Sequence, residues 1–243
     1  MTDLGICLLS IVPMRAEPSE KSEMVSQLLF GEHFVIIEQT EKWLFIKSEI
    51  DGYQGWITSN MASNLPDDFF ITNAPMVISK PYIDCVISNK PVILPGGSII
   101  RQFHYDSSYN LAEANNCNTG DNLFSLAKQY LGAPYLWGGK TIFGIDCSGL
   151  VQIINRMVGH WLPRDACQQA QTGNEITLDT AKTNDIAFFC NNDGKIVHTG
   201  ILCSANKIIH ASGYVRIDCL DEKGIYNETK KIYTHRLHSI RRL

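Results

Sequence analysis

The apolar positions of this chain change their pattern once, near residue 116. Ahead of that point, from residue 4 to about residue 65, they fall in short runs divided by tight turns: 33–38, 43–47 and 53–57. Asp51-Gly52 between two such runs is a hairpin cue, because both residues tolerate positive φ. About five short strands in this stretch predict a small all-β barrel. Residues 5–12 read as the first strand, closed early by Pro13. Between 66 and 115, Pro66, Pro75, Pro81, Pro91 and Pro95 punctuate shorter apolar runs. That segment fits either a reduced second unit of the same kind or a β-rich linker.

Beyond it the spacing becomes helical. Leu123, Phe124, Leu126, Ala127, Tyr130 and Leu131 predict a helix with Asp121 as its cap, ended by Gly132 and Pro134. A second helix starts near Cys147, with Leu150, Val151, Ile154, Met157 and Val158 on one face. A third, amphipathic, covers 164–172. Period-2 runs follow at 186–190, 196–202, 207–211, 215–218 and 235–241. Helices first and antiparallel strands afterwards describe an α+β unit. The expected organisation is therefore a barrel at 1–65, the ambiguous segment at 66–115 and an α+β domain at 116–243.

Composition narrows the function classes. With 44% apolar and 19% charged residues over 243 positions, the chain reads as globular. Net charge is −4, from 21 basic and 25 acidic residues, so no basic footprint points to nucleic acid. No window approaches the ~20 apolar residues of a membrane span. No Lys or Arg precedes the apolar run at 5–12, unlike a secretory leader, so a cytoplasmic location is expected. The eight cysteines are scattered without a C-x-x-C pair, which argues against both a zinc site and a disulfide framework. Most of them read as small apolar fillers.

Cys147 stands apart. It opens the second helix, preceded by Asp146 and followed by Ser148-Gly149. First-turn N–H groups and the helix dipole favour a thiolate at such a place. A nucleophilic thiol also needs a base. His198 and His210 lie in strand cores twelve positions apart. A three-residue loop, Ser204-Ala205-Asn206, would put both rings on one face; a two-residue loop would put them on opposite faces. A lone strand histidine is ordinarily a satisfied core residue, and a Cys-His-His metal site lacks a fourth ligand. The spacing gives no role to His33, His104, His160, His235 or His238.

The ordered motifs carry a resemblance. Pro134-Tyr135-Leu136-Trp137-Gly138-Gly139, Asp146-Cys147-Ser148-Gly149-Leu150 and Leu162-Pro163-Arg164-Asp165-Ala166 occur in sequence. Asp185-Ile186-Ala187-Phe188-Phe189, His198-Thr199-Gly200-Ile201 and Ile209-His210-Ala211 follow. Together they resemble an NlpC/P60 cysteine peptidase, and the front half resembles the bacterial SH3-like (SH3b) module often fused to it. The resemblance implies an α+β papain-like NlpC/P60 domain preceded by one or more small all-β SH3-like barrels. It implies Cys147 as nucleophile, His198 as base and His210 as the polar third member, with no metal and no cofactor. Tyr135 matches a tyrosine beside the oxyanion, its bland alternative being a packed aromatic. Asp146 matches a reader of the substrate's free amine, or else a helix cap. Ser148, Arg164 and Asp165 match substrate-side or structural positions. Glu23 and Tyr53 of the barrel match groups that reach the amine, or else barrel surface and core.

The short SH3b-fused members resembled here are γ-D-glutamyl-L-diamino acid endopeptidases. The implied partner is a murein tri- or tetrapeptide with a free N-terminal L-alanine, met during cell-wall peptide recycling. Two other readings stay open: an exported hydrolase of polymeric peptidoglycan, and a non-catalytic wall-peptide binding module. Lysine versus diaminopimelate preference and oligomeric state are not legible.

Overall fold

The computed structural model of the protein describes residues 4–65, 76–87, 89–100 and 122–243. Two compact units divide the chain, Met1–Thr119 and Gly120–Leu243. The first opens with β1 (Leu4–Ile6), β2 (Ile11–Arg15), β3 (Met24–Leu29), β4 (His33–Gln39), β5 (Trp43–Ser48), β6 (Gln54–Thr58) and β7 (Ser63–Asn64). They form one antiparallel sheet in the order β3-β2-β6-β5-β4-β1-β7. Alternate residues turn inward to a core that includes Val12, Met14, Leu28, Phe34, Ile46 and Ile57.

Residues 5–12 are not one strand: the chain turns between β1 and β2, and Pro13 lies inside β2. Proline is tolerated there because β2 is fully laddered only to β3. On its other side it meets β6 at a single pair, Arg15 with Trp56. Residues 66–75 and 101–121 lie outside the described residues, and with them much of the ambiguous segment and the expected cap Asp121. The part described forms two two-stranded sheets: β8 (Met76–Val77) with β11 (Ile99–Ile100), and β9 (Tyr82–Ile87) with β10 (Lys90–Pro95). Ile78, Ile83, Leu94 and Ile100 share an apolar cluster with Phe30.

In the second unit Asn122 caps α1 (Leu123–Lys128), accepting from the Phe124 N–H. A small β12 (Lys140–Thr141) and β13 (Gly144–Ile145) hairpin precedes α2 (Cys147–Met157), which is buried along its whole length. The expected third helix contracts to α3 (Ala166–Gln169), held by a capping box between Asp165 and Gln168.

The remaining strands are β14 (Asn174–Ile176), β15 (Ile186–Cys190), β16 (Ile196–Ser204), β17 (Lys207–Ser212), β18 (Tyr214–Asp221), β19 (Gly224–Asn227) and β20 (Ile232–Arg242). Neighbours run β14-β20-β15-β16-β17-β18-β19, and β19 pairs back onto β20. That last pairing closes a six-stranded ring, with β14 on the far end of β20. Phe189, Leu202, Ile208, Leu220, Ile225 and Ile240 pack as one cluster from its strands. Full burial of side chains this size contributes about 1.5–3 kcal/mol each. Helix α2 packs on β16 and β17, which brings the start of the helix to the histidine strands.

Candidate active site

Asp146 organises the beginning of α2. It sits at the N-cap in extended conformation, and its Oδ1 accepts from the Gly149 N–H at 2.7 Å. Its Oδ2 accepts from the Gly138 N–H at 2.8 Å. Arg164 forks onto both oxygens, with Nη1 to Oδ1 at 3.0 Å. The Ser148 hydroxyl donates to Oδ1 at 3.2 Å and accepts from Arg164 at 2.8 Å. Asp146 and Arg164 are 4% and 2% exposed, so the ion pair is dry. Removing one member of such a pair costs about 3–5 kcal/mol, because the other stays buried and charged. Asp146 thus caps α2 and pairs with Arg164. Arg164 and Ser148 join Asp146 in this network, and Asp165 caps α3.

This packing presents Cys147 at the first position of α2, 6% exposed. The backbone N–H groups of Thr199 and Ser148 face its sulfur. Burial acts against the expected thiolate, and the backbone N–H groups act for it. Desolvation, with Asp146 adding to it, pushes the Cys147 thiol up to about 12, outweighing the two backbone N–H groups and Arg164. Burial thus works against a free thiolate in this pocket. Tyr135 stands within electrostatic reach of it; burial, then the nearby Cys147 and Asp146, raise its phenol to about 12, so it is a hydroxyl donor.

The two strand histidines do share a face. His198 Nε2 and His210 Nδ1 are 2.8 Å apart. The route differs from the expected one: the β16–β17 turn has two residues, not three. Ser204 pairs with Lys207, yet Ile201 pairs with Ile209, because a bulge at Cys203 absorbs one residue. The bulge restores the register that a three-residue loop would have set.

Two further residues complete the arrangement. His210 Nε2 lies 3.1 Å from Asp218 Oδ2, which also accepts from Arg216 Nε at 2.8 Å. Although burial opposes it, hydrogen bonds from His210 and Arg216 hold the Asp218 carboxyl below its usual range. An ionised carboxylate only accepts, so His210 Nε2 carries a proton and His210 Nδ1 accepts from His198 Nε2–H. The chain of donors leaves Nδ1 of His198 as a free acceptor. His235, given no role by the sequence, stacks on His198 with centroids 4.0 Å apart and planes 21° apart. Burial, then the other histidines, keeps His198 well below its ordinary 6.5, and His235 is lowered to about 4.

Asp218 had a sequence signal: it alternates with Arg216 across a tight hairpin at Gly213, opposite the strand of His210. His235 had none, since its place depends on the ring closing through β19 and β20. Glu23 is exposed just before β3, and Tyr53 packs against the core of the first unit. Among the described residues no group of three or more His, Cys, Asp or Glu is arranged to hold a metal ion.

Comparison with known proteins bears on this geometry. Residues 132–240 match the NlpC/P60 family, and residues 14–60 match the bacterial dipeptidyl-peptidase SH3 domain. The chain is similar to the γ-D-glutamyl-L-lysine dipeptidyl-peptidase of Bacillus subtilis, 27% identical over 76% of this chain and 71% of that one. It is similar to a probable endopeptidase NlpC homolog of Haemophilus influenzae, 30% identical over 66% of this chain and 90% of that one. The crystal structure of an NlpC/P60 family protein from Bacillus cereus superposes with a TM-score of 0.84 at 17% identity, covering 99% of both chains, a likeness of fold. A thiol at a buried helix start, beside a strand that carries one of a hydrogen-bonded histidine pair, in a chain with a small β unit ahead of it, thus finds its relatives: the chain belongs to the NlpC/P60 family.

Proposed function

We propose that this protein is a cysteine endopeptidase that hydrolyses the γ-D-glutamyl-L-diamino acid bond of murein peptides bearing a free N-terminal L-alanine. The observation that carries the reading is the hydrogen-bonded row His198–His210–Asp218, on a strand whose Thr199 N–H faces the Cys147 sulfur. In this scheme Cys147 Sγ attacks the γ-carbonyl carbon while its proton passes to Nδ1 of His198. His210, held by Asp218, steadies the imidazolium that forms. The Cys147 backbone N–H and the Tyr135 hydroxyl are the donors assigned to the oxyanion. His198 then gives its proton to the departing amine, and water, deprotonated by the same ring, releases the thioester.

The similarity to a γ-D-glutamyl-L-lysine dipeptidyl-peptidase supports release of an L-Ala-γ-D-Glu dipeptide from freed wall peptides rather than action on the polymer. No helix of the described residues is long and apolar enough to cross a membrane. The test is peptide cleavage followed by chromatography. The native protein should release L-Ala-γ-D-Glu from L-Ala-γ-D-Glu-L-Lys, and Cys147→Ala should release none while keeping its circular dichroism spectrum. Dipeptide release by the Cys147→Ala protein would refute the nucleophile. Equal cleavage of the N-acetylated peptide would refute the requirement for a free amine.

A further inference from the structure

Along β16 the main chain runs Thr199, His198, Val197. The Thr199 N–H faces the Cys147 sulfur, and Val197 lines a cavity of about 540 Å³. The cavity meets the histidine pair through His235. His235, stacked on His198, forms the adjoining wall.

The cavity is positively charged. Lys223 and Arg236 line it together with Asn191 and Asn192, and no Asp or Glu does. Arg236 is held in place: Nε and Nη2 each lie 3.3 Å from Cys190 Sγ, and Nη2 donates to the Asn191 carbonyl at 3.0 Å. Its Nη1 makes no hydrogen bond among the described residues. Lys223 rests 5.6 Å from the Tyr233 ring centroid. Asp221, outside the lining, accepts from the Tyr233 hydroxyl and from the N–H groups of Lys223 and Gly224, and its charge also acts on Lys223. Arg236, with no carboxylate partner among the described residues, and Lys223, whose neighbour Asp221 is hydrogen-bonded elsewhere, together describe a receptor for an anion.

We propose that this cavity is the subsite for the residue released by cleavage, and that Arg236 and Lys223 bind its carboxylate. The inference rests on the peptidase reading above, since it is the departing amine that His198 protonates. The rest of that residue then extends past the imidazole, into the space that Val197 and His235 border. Arg236 offers a fixed N–H edge and Lys223 a mobile charge, which suits a carboxylate and is unsuited to an uncharged amide.

The test compares L-Ala-γ-D-Glu-L-Lys ending in a free carboxylate with the same peptide ending in a carboxamide, using the full chain. The native protein should favour the free acid in kcat/KM by about tenfold or more, mainly through KM. In Arg236→Gln and in Lys223→Gln that ratio should fall towards one. Lys223 is exposed, so Lys223→Gln keeps the test decisive if the arginine variant, which also holds Cys190 and Asn191, does not fold. No preference in the native protein, or an undiminished preference in the variants, overturns the subsite and leaves the peptidase reading standing. Cleavage of neither peptide by the native protein overturns both.

Discussion

At the scale of single residues, the candidate site is decided by which nitrogen holds which proton. Asp218 is the only acceptor-only group in the His198–His210 chain, and everything upstream follows from its charge. Asp218→Asn keeps the shape but lets an amide N–H face His210, which favours the opposite tautomer and turns the His198 acceptor away from the thiol. The expected outcome is a fall in kcat of about tenfold or more with KM little changed, read from steady-state kinetics. A variant with native kcat would show that Asp218 only packs. Cys147, His198 and His210 were legible as letters because their chemistry needs those residue types at a helix start and in strand cores. Asp146 was legible as a carboxylate but ambiguous in role: only the fork of Arg164, eighteen positions away, shows its oxygens to be occupied.

Secondary-structure elements place these residues through close backbone approaches. Gly149 lies in the first turn of α2, where alanine would normally gain about 1 kcal/mol of helix propensity. Here a Cβ would stand 2.3 Å from the Gly139 carbonyl and 3.0 Å from Asp146 Oδ1. The clash outweighs the propensity, so Gly149→Ala should lower the melting temperature and shift Cys147. The expected loss is about 1–3 kcal/mol, measurable by urea unfolding. A stabilised variant would mean that the loop behind α2 yields freely. Element existence was largely readable from period, whereas lengths were not: α1 and α3 are shorter than their apolar patterns, since only part of each pattern is helical. The β16–β17 hairpin shows the deeper limit. Turn residues suggested three positions, and a two-residue turn with a bulge at Cys203 reached the same facing of the histidines. Pattern alone does not reveal which residue a ladder will skip.

For the whole molecule the consequence is a dependence on pH. His198, His210 and His235 come from three strands of one ring and all have folded pKa values below 6.5, chiefly through burial. An unfolded chain takes up protons below about pH 6.5 that the folded chain refuses. Their contribution to stability is therefore intact above that pH and declines as pH falls, for His235 down to about 4. Melting temperatures from pH ~8 to ~4.5 should drop on the acid side. His235→Phe, which keeps a stacked ring and removes one titration, should make the drop shallower. A variant curve parallel to the native one throughout would exclude this cause.

Local patterns were sufficient for the class of the fold, the helix that carries the thiol and the pair of histidines behind it. Those features depend on period, caps and residue chemistry within a few positions, which a linear chain displays. Tertiary structure alone decided the closure of the ring through β19 and β20, the stack of His235 on His198 and the burial of the thiol. Each of these is set by contacts between residues distant in the chain, or by the burial those contacts create, and neither is written in local order.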